Sequence, residues 1–309
     1  MPLISICIPA YKNAEYLSRL LESIVQQDFK DFDVIITDDS PDDILKELIN
    51  KYNTILDITY IKNKTALGSP ANWNSAIVKA RSEWIKIMHD DDWFNNEKSL
   101  SSFAEVAKTT NADFIFSGFY EVDIQSKERQ QYVISKTEEA LIRKSPYNLL
   151  KKNFIGHPST TLIKNNRQQW FDNNLKWVVD IEFYMRALKG NKKFYAIKKP
   201  LVTIGINPLQ ITKQVFRDPT VEIPENLSLL QLNPELLKYY YAYDYYWRLL
   251  RNLSIRNFSE LEENKRATSV IPNNLNRMLS FQKKFPLAIL KNGFASKFLM
   301  TTSYLFNKK

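Results

Sequence analysis

The first third of the chain alternates short, apolar, β-prone runs with segments whose apolar residues recur at the helical period. The clearest helical segment follows Asn13, a residue type that favours the position just before a helix. Strands that alternate with helices through short connections form parallel sheets covered on both faces. We therefore predict an α/β domain that opens with four strands, at residues 3–8 (stopped by Pro9), 32–37, 57–61 and 84–88.

Two of these strands are followed directly by carboxylates. Asp38 and Asp39 follow the second strand, and Asp90, Asp91 and Asp92 follow the fourth. The carboxyl ends of parallel strands lie along one edge of a sheet, so both acidic groups are predicted to face one crevice. Adjacent carboxylates repel one another unless a cation lies among them, which predicts a divalent metal cofactor, Mn²⁺ or Mg²⁺. A solvated acidic turn is the alternative.

Composition narrows the class of partner. The 309 residues, 44% of them hydrophobic, suffice for one large domain or two modest ones. The formal net charge of +9 indicates an anionic partner, such as a phosphate-bearing substrate, a nucleic acid or a membrane surface. A single cysteine, Cys7, excludes a disulfide framework. No signal-peptide pattern and no membrane-spanning apolar run is present, so a cytoplasmic location is expected.

The glycine pattern excludes two nucleotide-binding motifs. The chain has six glycines, with no Gly-x-Gly-x-x-Gly after the first strand and no Gly-Lys-Ser/Thr. Carboxylates instead hold a metal ion that chelates a diphosphate, and they accept hydrogen bonds from a base or a ribose. Two alternatives remain: a nucleotidyltransferase, which would need a basic glycine-rich loop after the first strand, and a nucleic-acid-binding protein, suggested by charge without any recognition motif.

Three segments resemble glycosyltransferase family 2 in their order and spacing. They are residues 4–11, the run Asp38-Asp39-Ser40, and the run from His89 to Trp93. The resemblance implies a GT-A fold, with a mostly parallel sheet and helices on both faces. Residues 1–215 would form the catalytic domain, with a nucleotide-sugar-binding half at 1–115 and an acceptor half at 116–215. Residues 216–309 would form a helical C-terminal region.

The same resemblance implies an activity. Family members move a sugar from a nucleoside-diphosphate sugar to an acceptor hydroxyl, and members of this kind invert the anomeric centre. For this chain we expect a hexosyltransferase with a UDP-sugar donor and a glycan or lipid-linked glycan acceptor in surface polysaccharide assembly. Nucleic acid is not an expected partner.

Individual residues acquire roles from the resemblance. The positions that match the family's nucleotide- and metal-binding residues are Pro9, Ala10, Tyr11, Asp39, Asp90 and Asp91. The first four match residues that hold the base, and the last two match residues that hold the ribose and the metal ion. The family usually has an acid where this chain has His89, which leaves two interpretations of that residue: a metal ligand, or a structural or solvent-facing histidine.

A catalytic base is implied further along the chain. The position that matches the family's general base is Asp180, and Glu182 follows two residues later. A carboxylate at the start of a helix, flanked by Trp177 and Val179, has apolar neighbours that raise its pKa toward useful values. Asp is also a favoured helix cap, so capping is the alternative and is compatible with catalysis.

Glu182 and three further residues are candidate contacts to the donor or the acceptor. His157 and Ser159 belong to a Gly-His-Pro-Ser stretch like one that family members carry beneath the donor sugar, although a turn explains the stretch equally well. Lys213 ends a segment, 206–213, that resembles a family loop closing over the diphosphate. Residues 193–206 before it predict two short strands joined at 198–200.

The last hundred residues predict helices at 227–237, 239–253 and 275–305, with the aromatic residues of the middle helix packed inward. Residues 265–309 hold nine basic residues and no acidic one, interleaved with Phe and Leu. A basic amphipathic segment is typical of attachment to an anionic membrane surface. Residues 283–309 are therefore expected to hold the protein on the inner face of the cell membrane, unless they form a solvated basic face over an ordinary core.

Overall fold

The computed structural model of the protein describes residues 1–166, 170–189, 193–207 and 215–307. Its polypeptide divides into two compact units, each assembled from three stretches of chain. The first unit comprises Met1–Ala140, Phe154–Asn173 and Arg186–Gln210, and the second comprises Leu141–Asn153, Asn174–Met185 and Ile211–Lys309. The functional boundary that the sequence suggests, after residue 215, stays a prediction.

The first unit contains a mixed sheet. Its strands in the described chain are β1 (Ile4–Ala10), β2 (Phe32–Asp38), β3 (Ile58–Lys62), β4 (Trp84–Ile87), β5 (Trp93–Phe94), β6 (Phe114–Asp123), β7 (Arg129–Tyr132), β8 (Thr161–Lys164) and β9 (Phe194–Ile206). They lie in the order β3-β2-β1-β4-β8-β6-β9-β5, with β7 beside β6. The pairings make β1, β2, β3, β4, β6 and β9 run in one direction and β5, β7 and β8 in the other. The predicted mostly parallel α/β sheet is confirmed.

Strand β1 occupies the middle of the parallel part, between β2 and β4, and all of its residues are buried. The predicted stop at Pro9 is wrong, because the strand continues to Ala10. Pro9 lacks only its N–H, so it removes one donor from the ladder without changing the extended course of the backbone. The end of β1 therefore reaches the same edge as Asp38, which pairs with Ala10.

Strand β9 corrects a second expectation, since residues 194–206 form one strand and not two. Against β6, Ile197 pairs with Ser117 and Pro200 pairs with Gly118, so Lys198 and Lys199 are extra residues. A bulge absorbs such residues without ending the strand. The continuous strand reaches the edge of the sheet where the acidic residues lie.

The helices are α1 (Ala14–Val25), α2 (Ile44–Asn50), α3 (Ala71–Lys79), α4 (Ser99–Thr109), α5 (Lys136–Lys144), α6 (Val179–Leu188), α7 (Pro219–Leu232), α8 (Tyr240–Asn252), α9 (Phe258–Asn264), α10 (Asn273–Gln282), α11 (Leu287–Lys291) and α12 (Gly293–Asn307). Asn13 caps α1 as predicted, with its side chain accepting from the backbone N–H of Tyr16 at 3.0 Å. In the second unit, Tyr243, Tyr246 and Trp247 of α8 are buried, which confirms inward packing of the aromatic residues.

The single helix predicted over 275–305 is wrong, because the segment is divided among α10, α11 and α12. Pro286 stands immediately before α11, and Gly293 begins α12. Proline has no N–H to continue a helix and is best tolerated in the first turn, so Pro286 favours a new helix start. Among the helices in the described ranges, none has the length and apolar character needed to cross a membrane.

Candidate functional site

The acidic turn, His89–Asp92, follows β4 at the edge of the sheet, and its backbone is closed by a hydrogen bond from the N–H of Asp92 to the carbonyl of His89, at 3.1 Å. Each of its three carboxylates accepts a hydrogen bond from a different part of the chain. The donors are the backbone N–H of Tyr11 to Asp90 (2.9 Å), the side-chain amide of Asn207 to Asp91 (2.9 Å) and the backbone N–H of Gly205 to Asp92 (3.2 Å). The turn is thus fixed by the loop after β1 and by the end of β9.

The loop after β1 connects the acidic turn to the acids that follow β2. The N–H of Lys12 donates to Ser40 Oγ at 2.7 Å, and the N–H of Asp39 donates to the carbonyl of Ala10 at 3.0 Å. Tyr11, whose N–H is bound by Asp90, has 51% of its side chain exposed. The two acidic groups and the predicted base-binding loop therefore meet at one edge of the sheet, as the strand pattern indicates.

Asp39 is buried, and both of its oxygens hold the segment 63–68. Oδ1 accepts from the side chain of Asn63 at 2.7 Å and from the N–H of Leu67 at 3.1 Å. Oδ2 accepts from the N–H of Gly68 at 2.8 Å. Asp39 thus shapes the loop beside the predicted base site, while direct contact with a base stays a prediction.

Electrostatics at the acidic turn favour an added cation. Burial, followed by the charge of Asp91, raises the pKa of Asp90 and of Asp92 well above the usual range. Burial, followed by the positive charges of His157 and Lys86, lowers the pKa of His89 to about 3. Carboxylates whose joint ionisation is unfavourable gain from a cation placed among them.

A group of ligand atoms suited to a metal ion lies in this turn. Within the described ranges, His89, Asp91 and Asp92 each offer one ligand atom, and the three atoms lie within 4.8 Å of one another. Carboxylate oxygen suits Mg²⁺ and Mn²⁺, and an imidazole nitrogen is a common transition-metal ligand, so the donor set fits a divalent ion. Asp90, also predicted as a ligand, is outside this group and binds the N–H of Tyr11.

Two cations behind the turn were not predicted from the sequence. Lys86 is fully buried in β4, and its ammonium donates to the carbonyls of Ser159 and Ile87. Arg19 donates to the carbonyl of Asp91 at 3.1 Å and stacks over the ring of Trp93 at 3.9 Å. The signal for Lys86 is a charged residue inside an otherwise apolar strand, Trp-Ile-Lys-Ile.

The Gly-His-Pro-Ser stretch lies beside the acidic turn. Ser159 is buried, and its Oγ accepts from the backbone N–H of His89 at 2.9 Å. His157 is half-buried, with its Nε2 3.5 Å from a carboxylate oxygen of Glu121. Ser159 therefore supports the acidic turn, and the predicted contacts of both residues with a substrate stay predictions.

Gly205 allows β9 to pass close to the acidic turn, because a Cβ there would lie 2.3 Å from the carbonyl oxygen of Asp91. We expect Gly205→Ala to lower the free energy of unfolding by about 1–3 kcal/mol, since a backbone atom must move. Urea denaturation measures the change. Gly293→Ala is the matched control, because its Cβ meets nothing within 4 Å. Equal destabilisation by both substitutions would contradict this explanation.

In the second unit, Asp180 is the second residue of α6, and Glu182, in the same turn, is buried. Asp180 therefore lies inside the helix and not at the capping position before it. The N–H groups of Lys176, Trp177 and Val178, just before α6, donate to the carboxylate of Glu225 in α7 at 2.8, 2.8 and 3.1 Å. Glu225, which was not predicted, thus satisfies donors that a helix start leaves free. Lys213 lies outside the described residues.

Comparison with known proteins identifies the class. The model of the family named Glycosyl transferase family 2 matches residues 5–171, more than half of the chain. The chain belongs to glycosyl transferase family 2, and it is a glycosyltransferase.

Individual relatives extend beyond the matched range. The chain is 29% identical over 221 residues to the putative colanic acid biosynthesis glycosyl transferase WcaA of Escherichia coli (strain K12), covering 68% of this chain and 76% of WcaA. It is 25% identical over 317 residues to the GalNAc(5)-diNAcBac-PP-undecaprenol beta-1,3-glucosyltransferase of Campylobacter jejuni, covering 94% of this chain and all of that relative. The solved structure of S. aureus TarS 1–349 with UDP-GlcNAc superposes with a TM-score of 0.62 at 17% identity, over 99% of this chain and 89% of that one. The fold is therefore shared, which confirms the predicted GT-A class.

Proposed function

We propose that the protein transfers a sugar from a UDP-sugar to a hydroxyl group of a growing surface glycan, with inversion at the anomeric carbon. The observation that carries the proposal is the meeting of the two acidic groups with the loop after β1, through Tyr11, Asp90 and Ser40. Support for the donor comes from the related fold of TarS, which was solved with UDP-GlcNAc. Support for the acceptor class comes from WcaA, named for colanic acid biosynthesis.

The donor is proposed to lie along this edge, with its base against Pro9, Ala10, Tyr11 and Asp39. The exposed ring of Tyr11 offers an aromatic face on which a base can stack. Asp90 is close to that loop and is assigned to the ribose.

A divalent ion, Mn²⁺ or Mg²⁺, is proposed at Asp91 with Asp90 or its neighbours in the turn. When bound, such an ion stabilises the negative charge that develops on the departing diphosphate. The chain's contribution is to orient the carboxylates, since Asn207 and Gly205 hold Asp91 and Asp92 in place. His157, Ser159 and Lys213 stay candidates for contacts to the donor.

Asp180 is proposed to accept the proton of the acceptor hydroxyl as that oxygen attacks the anomeric carbon. A carboxylate in this role must be held firmly, and Glu225 fixes the backbone that leads into its helix. Glu182, buried in the same helical turn, is the alternative base.

Measuring UDP release from a panel of UDP-sugars, with and without Mn²⁺ and in the presence of a glycan acceptor, tests the function. A glycosyltransferase releases UDP in amounts equal to the sugar transferred. A nucleotidyltransferase would release pyrophosphate from a nucleoside triphosphate, and a nucleic-acid-binding protein would release neither. Pyrophosphate release without UDP release would overturn the proposal.

We propose further that the protein works at an anionic membrane surface, where a lipid-linked acceptor would lie. The C. jejuni relative is named for an undecaprenol-diphosphate-linked acceptor. Helix α12 buries Ser296, Met300, Ser303 and Tyr304 and exposes several large apolar residues. Ser296 accepts from the indole of Trp247 at 3.0 Å and Ser303 is hydrogen-bonded to the hydroxyl of Tyr243, whereas Phe294 and Phe298 are 94% and 73% exposed.

The exposed stripe of α12 continues with Leu305 and Phe306, on a segment that carries only basic charges. Each basic side chain near an anionic surface contributes about 1 kcal/mol, and buried Phe side chains add roughly 1.5–3 kcal/mol each. Salt screens the first contribution and not the second. Binding should therefore weaken in salt without disappearing.

The double variant Phe294→Ser/Phe298→Ser is expected to lose most sedimentation with liposomes of anionic lipid, because it removes the two most exposed rings. Its UDP-sugar hydrolysis in solution should remain. Val270→Ser, which changes an equally exposed apolar residue outside α12, is the control and should sediment like the unmodified chain. Equal sedimentation of all three proteins, or failure of all three at low salt, would leave α12 as an ordinary packed helix.

A further inference from the structure

His89 is held by one backbone contact and one ring contact. Its backbone N–H donates to Ser159 Oγ at 2.9 Å, and its ring packs on Trp73 with the ring centroids 4.5 Å apart. Trp73 is itself braced edge-on by Phe171, at 5.1 Å. The backbone bond and the packing on a braced Trp73 restrict the rotation of the His89 ring.

The Nε2 atom of His89 is buried and finds no hydrogen-bond partner within the described parts of the chain. Leaving a buried polar atom unsatisfied is unfavourable, so such an atom in a native protein calls for an explanation such as an ion. A neutral imidazole is the form that binds metal ions.

One ring nitrogen of His89 and one carboxylate oxygen each of Asp91 and Asp92 lie within 4.8 Å of one another. Both carboxylates are oriented from behind, Asp91 by Asn207 and Asp92 by the N–H of Gly205. Oriented ligands of this kind are what a metal site requires in addition to the ligand atoms themselves.

We propose that His89 is a nitrogen ligand of the divalent ion, together with Asp91 and Asp92. A nitrogen ligand disfavours Mg²⁺, which prefers oxygen, and favours Mn²⁺ and Co²⁺. The imidazole also adds no negative charge, so the ion and its two carboxylates are balanced in charge. This proposal rests on the proposed function in one respect only, that the metal ion lies at the edge of the sheet where the UDP-sugar is proposed to bind.

Electron spin-echo envelope modulation of Mn²⁺ bound to the full chain, alone and with UDP, tests the assignment directly. Coordinated imidazole nitrogen modulates the echo, and we expect that modulation in the unmodified protein. The chain has two histidines, so His157→Asn is the matched control and should keep the modulation. His89→Asp should bind Mn²⁺ without it, and the preference for Mn²⁺ over Mg²⁺ should fall about tenfold.

Bound Mn²⁺ that lacks nitrogen modulation in the unmodified chain would overturn the proposal, as would modulation that vanishes in His157→Asn and persists in His89→Asp. Should His89→Asp fail to fold, His89→Gln takes its place, with the same expectation. The proposed function is tested separately, by measuring acceptor-dependent UDP release. Nitrogen modulation in a protein without transferase activity would retract that function and leave the ligand assignment standing.

Discussion

Asp180→Asn is expected to lower turnover by about 10²–10⁴-fold, the range typical of losing a general base, while the donor binds as before. The amide keeps the size and planar shape of the carboxylate, but one acceptor oxygen is replaced by an NH₂ donor and the group does not accept a proton. Initial rates of acceptor-dependent UDP release measure turnover, and calorimetry measures donor affinity. A fall in kcat with an unchanged Kd for the donor separates chemistry from binding.

Glu182→Gln supplies the comparison for that experiment, because Glu182 lies two residues away in the same helix and is buried. Its substitution should leave turnover close to the unmodified value if Asp180 is the base. Near-normal turnover in a folded Asp180→Asn protein, with a large loss in Glu182→Gln, would transfer the role to Glu182. Circular dichroism of both variants establishes that each is folded.

Asp91→Asn is expected to weaken UDP binding by at least about tenfold and to make the remaining affinity independent of Mn²⁺, since metal-site changes of this kind have effects of that size. The substitution removes one charged ligand and keeps a side chain that Asn207 still contacts. Titration calorimetry of UDP, with Mn²⁺ and then with EDTA, measures the Kd for UDP with and without the metal ion.

Asp28→Asn is the control, because it removes one negative charge from an exposed position outside the acidic turn. It should bind UDP like the unmodified protein under both conditions. The metal prediction is refuted by equal UDP affinity with and without EDTA in the unmodified chain, or by an Asp91→Asn protein that still responds to Mn²⁺.

The meeting of the two acidic groups at one edge of the sheet was predictable because it depends on a local sequence pattern. A strand followed at once by acids, occurring twice in a parallel arrangement, places Asp39 and Asp91 at the same edge before any coordinates exist. The spacing does not reveal which N–H group donates a hydrogen bond to each carboxylate. Tyr11, Asn207 and Gly205 reach the acidic turn only through the tertiary fold, so their roles needed the structure.

Other features could not be predicted from the sequence because tertiary contacts override the local pattern. The run of Lys198, Lys199 and Pro200 is typical of a turn, yet pairing with β6 carries it through as a bulge in one strand. Lys86 suggests an exposed position, yet backbone carbonyls around its ammonium allow full burial.

The carboxylate of Glu225 has a consequence for the order in which parts of the protein fold during synthesis. It holds the N–H of Val178, which the ribosome adds 47 residues earlier. Until α7 has been synthesised, the backbone leading to Asp180 lacks the group that satisfies its donors, although every acidic residue of the sheet edge is already present. A nascent chain that has emerged only as far as β9 would therefore carry all the acidic residues of this edge together with an unsecured Asp180. If Asp180 is the base proposed above, competence for sugar transfer would thus arise late, once α7 has been made and Glu225 binds the segment before Asp180.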